Sequence, residues 1–118
     1  MAPSLAPAPT RLKRRADFLR IAARGQKAAV HGLVLQVCVR PDDRPAAIGF
    51  TVTKKVGNAV VRNRTKRRLR AAARAVLDTV SAPGVDMVLI GRGETRSRPF
   101  LLLVDDLRRT MTKLGALK

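Results

Sequence analysis

Nine lysines and arginines fall between positions 54 and 74 with no acidic residue among them: Lys54, Lys55, Arg62, Arg64, Lys66, Arg67, Arg68, Arg70 and Arg74. The acid-free stretch runs further, from residue 44 to residue 77, so no neighbour in sequence neutralises the cluster. Cations in the first turns of a helix also oppose its dipole, at about 0.3–1 kcal/mol each when exposed. A bound phosphate reverses that balance, because free backbone N–H groups, the dipole and the arginine forks then act on the same anion. The chemistry of this segment is polyanion binding, with an RNA or DNA backbone as the source. Asn58 either caps the helix that follows or contacts the nucleic acid, and Asn63, between two arginines, carries donors and an acceptor suited to RNA.

Catalysis by the chain's own side chains has little to work with. A protein nuclease needs a water activator and usually carboxylates close enough to share a metal ion. Asp17, Asp42, Asp43, Asp78, Asp86, Glu94, Asp105 and Asp106 are scattered, and the adjacent pairs fall in a turn or on a helix. The lone His31 reads as structural or exposed, and Cys38, in an alternating strand, reads as a small buried hydrophobe. One cysteine makes no internal disulfide, and no Cys/His set has zinc spacing, which fits a reducing, cytoplasmic setting.

The whole chain carries the same signature. In 118 residues, 25 Lys and Arg against 8 Asp and Glu leave a net charge of +17. Such a charge opposes compaction in isolation and calls for a polyanionic partner. With 46% apolar residues in periodic runs it nonetheless folds as one domain. No stretch has the length of a membrane span, and three Phe without Tyr or Trp leave few stacking platforms.

The elements that position the cations follow from periodicity. Residues 1–10, rich in Ala and Pro, read as a disordered tail, and 11–118 as the domain. A short helix is expected over 16–24, ending at Gly25, and alternating strands over 33–39 and 46–53, which suggest a hairpin. Gly57 and Asn58 lead into a long helix over 59–80 with Val61, Thr65, Leu69, Ala72, Ala73, Val76 and Val80 on one side. A third strand covers 85–90, a basic loop with Arg92, Arg96 and Arg98 follows, and a last helix runs from Phe100 to about Leu114. The smallest architecture for these one-sided elements is an α+β domain of two layers, a sheet with helices on one face.

Residues 49–74, GFTVTKKVGNAVVRNRTKRRLRAAAR, closely resemble the signature of the bacterial ribonuclease P protein subunit: a glycine-led strand, a Lys pair, a Gly-Asn turn and an Arg-Asn-Arg, Lys-Arg, Arg helix. The likeness is thinner elsewhere and covers about residues 11–114. It implies the order α-β-β-β-α-β-α with a four-stranded sheet, a left-handed crossover and similarity to the second domain of ribosomal protein S5. The fourth strand comes from the resemblance alone. It further implies that Arg62, Asn63, Arg64, Lys66, Arg67 and Arg70 contact the catalytic RNA, with Lys54, Lys55 and Asn58 at the approach and Arg68 and Arg74 on the same helix. A cleft between the first helix and the sheet, with Arg11, Lys13, Phe18 and Gln36, would take the single-stranded 5′ leader of precursor tRNA. The reaction implied is endonucleolytic removal of that leader by RNA and Mg²⁺, leaving a 5′ phosphate on the tRNA, with the protein as non-catalytic subunit and no obligate protein partner. Two positions depart from the family pattern: Ala22 stands where a second aromatic is common, and Ala71 where an acid is common. The rival readings are a structural RNA-binding protein, such as a small ribosomal component, and a DNA-compacting protein.

Overall fold

A computed structural model describes residues 9–117. Its elements in chain order are β1 (Thr10–Arg11), α1 (Arg15–Arg24), β2 (Gln26–Ala29), β3 (Leu33–Val39), β4 (Ala47–Val52), α2 (Ala59–Leu77), β5 (Val85–Gly91) and α3 (Phe100–Lys113). One mixed sheet has the strand order β1-β4-β5-β3-β2, with β5 parallel to β4 and antiparallel to β3. The order α-β-β-β-α-β-α is thus present, with a two-residue strand added at the edge by pairing Thr10 with Ala47 and Arg11 with Ile48. Thr10 therefore belongs to the sheet, one residue outside the expected domain boundary; of the rest of the proposed tail, Pro9 is exposed and residues 1–8 lie outside the described residues.

The expected hairpin between β3 and β4 does not form, because β5 lies between them. The reason is legible in burial. β3 alternates buried and half-buried positions, whereas Val85 to Leu89 are all buried. A strand covered on both faces is the natural centre of a sheet, and β5 takes that place while α2 carries the chain across from β4. The fourth strand, β2, is the true hairpin partner of β3.

Leu33, Leu35 and Val37 on β3, Ile48 and Val52 on β4 and Met87 and Leu89 on β5 form one face of the sheet, against which α2 and α3 pack. α2 contributes Leu69, Ala72, Ala73 and Val76, and α3 contributes Leu103, Leu107 and Met111. The two-layer expectation describes these helices and the sheet; α1 instead lies on the opposite face, against β3 and β5. Gly49 permits this. A Cβ there would stand 2.5 Å from two carbons of the Phe18 ring, so only hydrogen lets the ring lie against β4.

Candidate nucleic-acid interface

The buried stripe of α2, Thr65, Leu69, Ala72, Ala73 and Val76, dictates which side chains point outward. Asn63, Arg64, Arg67 and Arg74 are exposed, and Arg62, Lys66 and Arg70 are half-buried. Lys54 and Lys55 are exposed on the single helical turn Lys54–Val56 just before α2. At about 1.5 Å per residue the 19-residue helix is roughly 28 Å long, so the cations form a ridge. Among the described residues no ion pair involves any of the nine. The Nε atoms of Arg62 and Arg70 are buried and make no hydrogen bond within the protein.

Two residues of the expected set have other employment. Asn58 is the cap of α2, its Oδ1 accepting from the Val61 N–H at 3.0 Å. Arg68 points towards the loop after β5, donating from Nε to the Thr95 carbonyl at 3.0 Å and from Nη2 to the Arg98 carbonyl. Its guanidinium ties that loop to α2, a role fixed by tertiary contact and invisible in a run of basic residues.

On the other face, α1 and the sheet enclose an open cleft of about 470 Å³. Lys13, Phe18 and Gln36 line it together, with Ala22 on the helix side. Sequence reasoning missed Arg15, Leu19, Phe50, Thr51, Val88 and Ile90, which complete the wall. Leu19 is 57% exposed, an apolar surface no protein neighbour covers. Arg11 is not in this cleft. Its pairing with Ile48 turns it to the α2 face, near Arg70 and Arg74.

A family model described as Ribonuclease P matches residues 6–115. The chain belongs to the ribonuclease P protein family. It is 63% identical over 105 residues to the ribonuclease P protein component of Gluconacetobacter diazotrophicus, covering 89% of this chain and 90% of that protein. It is 48% identical over 112 residues to that of Paramagnetospirillum magneticum, covering 92% and 84%. The fold matches the Staphylococcus aureus RNase P protein with a TM-score of 0.74 at 27% identity, over 92% of this chain and 97% of that one. The Thermotoga maritima RNase P protein gives 0.74 at 28%, over 87% and 96%. Membership in the ribonuclease P protein family makes the chain the protein subunit of a tRNA-processing holoenzyme, associated with the ribonuclease P RNA.

The two buried acids of this ribonuclease P family member, Asp86 and Asp106, serve its architecture. Asp86, on β5, receives Arg20 Nη2 at 2.7 Å from α1 and Arg40 Nη1 from the end of β3. Arg40 also donates to the carbonyls of Val85, Arg44 and Pro45, at 2.8 to 2.9 Å, which fastens the 40–45 turn to the central strand. Asp106, on α3, takes a bidentate pair from Arg98 at 2.9 and 3.1 Å, a bond from Arg109 at 3.0 Å and the Gly32 N–H at 3.2 Å. A Cβ on Gly32 would fall 2.6 Å from the carboxylate, so the approach needs glycine. Burial opposes charging Asp106, but the Arg98 bond and charge, Arg109 and the Gly32 N–H outweigh it and hold the carboxyl below the usual range. Asp42, bonded to Arg44, is lowered to about 2. Among the described residues no three His, Cys, Asp or Glu side chains converge as metal ligands.

Proposed function

We propose that the exposed ridge of α2 binds the catalytic RNA of ribonuclease P, and that the α1 cleft receives the single-stranded 5′ leader of precursor tRNA. The observation that carries this reading is the segment 54–74, nine cations on or beside one helix with no acid partner among the described residues. Arg62, Asn63, Arg64, Lys66, Arg67, Arg70 and Arg74 meet phosphates along the ridge, and Lys54 and Lys55 extend it. Each phosphate met by a cation releases counterions, so affinity falls steeply with salt. In the cleft, Lys13 and Arg15 face the leader's phosphates while Phe18 and Leu19 offer apolar surface to its bases.

Hydrolysis belongs, in this proposal, to the RNA and its Mg²⁺. The buried carboxylates do not fit a metal on the protein: Asp86 and Asp106 are saturated by arginines. The protein's part is to lower repulsion between two polyanions and to hold the substrate's leader. The reading needs no further protein partner and places the subunit with its RNAs in the cytoplasm; no helix among the described residues is long and apolar enough to cross a membrane.

The test is 5′-end cleavage of a precursor tRNA by ribonuclease P RNA at low Mg²⁺, with this protein, without it, and with a charge-matched basic peptide. Stimulation by the protein alone, yielding a mature 5′ phosphate, is expected. Equal stimulation by the peptide would reduce the protein to a counterion and refute the proposal.

A further inference from the structure

A second basic pocket lies across the sheet from the α1 cleft. Arg11, Arg70 and Arg74 surround a depression of about 410 Å³ floored by Ile48, Phe50 and Ala73. The volume is that of small-ligand sites, about 300–1,000 Å³. The Arg70 guanidinium carbon is 5.9 Å from the centre of the Phe50 ring, within reach of a cation–π contact. Its Nε is nonetheless buried without an acceptor. No carboxylate answers the three cations: none of them forms an ion pair among the described residues, and Asp78 on the rim is exposed and likewise unpaired.

We propose that this pocket takes one nucleotide unit, its base on the Phe50 floor and its phosphate among Arg11, Arg70 and Arg74. Inorganic phosphate would leave the apolar floor bare, and an uncharged apolar ligand would leave three guanidinium groups unpaired. A nucleotide supplies both an aromatic plane for the Phe50 floor and an anion for the guanidinium groups of Arg11, Arg70 and Arg74. An unstacked residue of an RNA chain and a free mononucleotide share this chemistry. The RNA source rests on the reading above, since an RNA along α2 passes Arg70 and Arg74; the pocket itself does not.

The experiment is an NMR titration of the full chain with adenosine 5′-monophosphate, ribose 5-phosphate and inorganic phosphate, following arginine Nε–Hε and phenylalanine ring signals. The mononucleotide is expected to move the Arg70 and Phe50 signals together and to bind about tenfold tighter than ribose 5-phosphate, because the base stacks. Phe50→Leu, which keeps the floor apolar, should erase most of that advantage. Arg11→Gln, on an exposed edge strand outside the core, should weaken the mononucleotide about tenfold without loss of fold. Equal affinity for the mononucleotide and ribose 5-phosphate, or shifts spread evenly over the arginines of α2, overturns the proposal. A single-stranded RNA that displaces the mononucleotide assigns the pocket to RNA, and failure to displace it assigns the pocket to the free ligand; both support the site. Ribonuclease P RNA binding measured alongside separates the two claims: a pocket without base preference beside intact RNA binding sinks the pocket alone, and base-selective binding without RNA binding sinks the RNA reading alone.

Discussion

Two populations of arginine occupy this chain, and they differ in whether an acid stands beside them. Arg20, Arg40, Arg44, Arg98 and Arg109 are paired with Asp17, Asp42, Asp86, Asp105 and Asp106. Of the eight acids, five are in ion pairs with arginine and a sixth, Glu94, lies 3.4 Å from the His31 ring; every one of these partners lies outside residues 54–74. The difference teaches that a net charge of +17 is a poor guide to a binding surface. What marks the surface is where the fold withholds its acids. The anchored arginines fasten α1, the 40–45 turn and α3, and the ridge on α2 has no acid partner among the described residues, the charge that the proposed reading gives to the RNA.

The sharpest way to break the anchored side is Asp106→Ala. It strands Arg98 beside a buried hole and frees Arg109, which is mostly in water, so a loss of about 3 kcal/mol is expected in urea unfolding. Binding of RNA per folded molecule should not change; a matching loss of affinity would merge the two populations. Gly49→Ala acts on the α1 face alone, driving the Phe18 ring outward. About 1–2 kcal/mol of stability and a weakened preference for substrates with a leader are expected, with leaderless RNA bound as before.

Acid should act on the anchored population only. Asp106 and Asp42 have folded values below their unfolded ones, so the folded state binds fewer protons and stability rises with pH. Their contribution is complete above the unfolded value near 4 and drains as pH falls through the folded values, about 2 for Asp42. Unfolding free energy measured from pH 5 to 2 should fall, with a shallower fall in Asp106→Asn. The smallest effect belongs to Arg64→Ala, exposed and unpaired, which should leave stability within about 0.5 kcal/mol of the parent.

Much of α2 was legible in the sequence because two signals coincide there, a 3.6-residue apolar period and an unbroken run of cations. β3, β4 and β5 were legible as strands but not in their order: alternation shows that a strand is half-buried, and it does not name the neighbour. The continuous burial of Val85 to Leu89 was the available clue that β5 is central. β2, Gln-Lys-Ala-Ala on an edge, has neither alternation nor bulk to announce it. Lys13, Phe18 and Gln36 line one cleft, whereas Arg11 is turned to the other face because a two-residue pairing sets its direction. Apart from the Asp106–Arg109 contact, the roles of Arg68, Asp86 and Asp106 depend on partners 8 to 74 positions away, and no local pattern carries such contacts.

The most direct measurement is the salt dependence of ribonuclease P RNA binding by the parent, by Arg64→Ala/Arg67→Ala and by Arg44→Ala, whose charge is already paired with Asp42. The α2 double variant should bind more weakly and lose about 1 to 2 from the magnitude of the log–log slope, while Arg44→Ala keeps the parent's slope. Equal slopes for all three, or a loss in Arg44→Ala as large as that on α2, would contradict the division of the arginines on which the account rests.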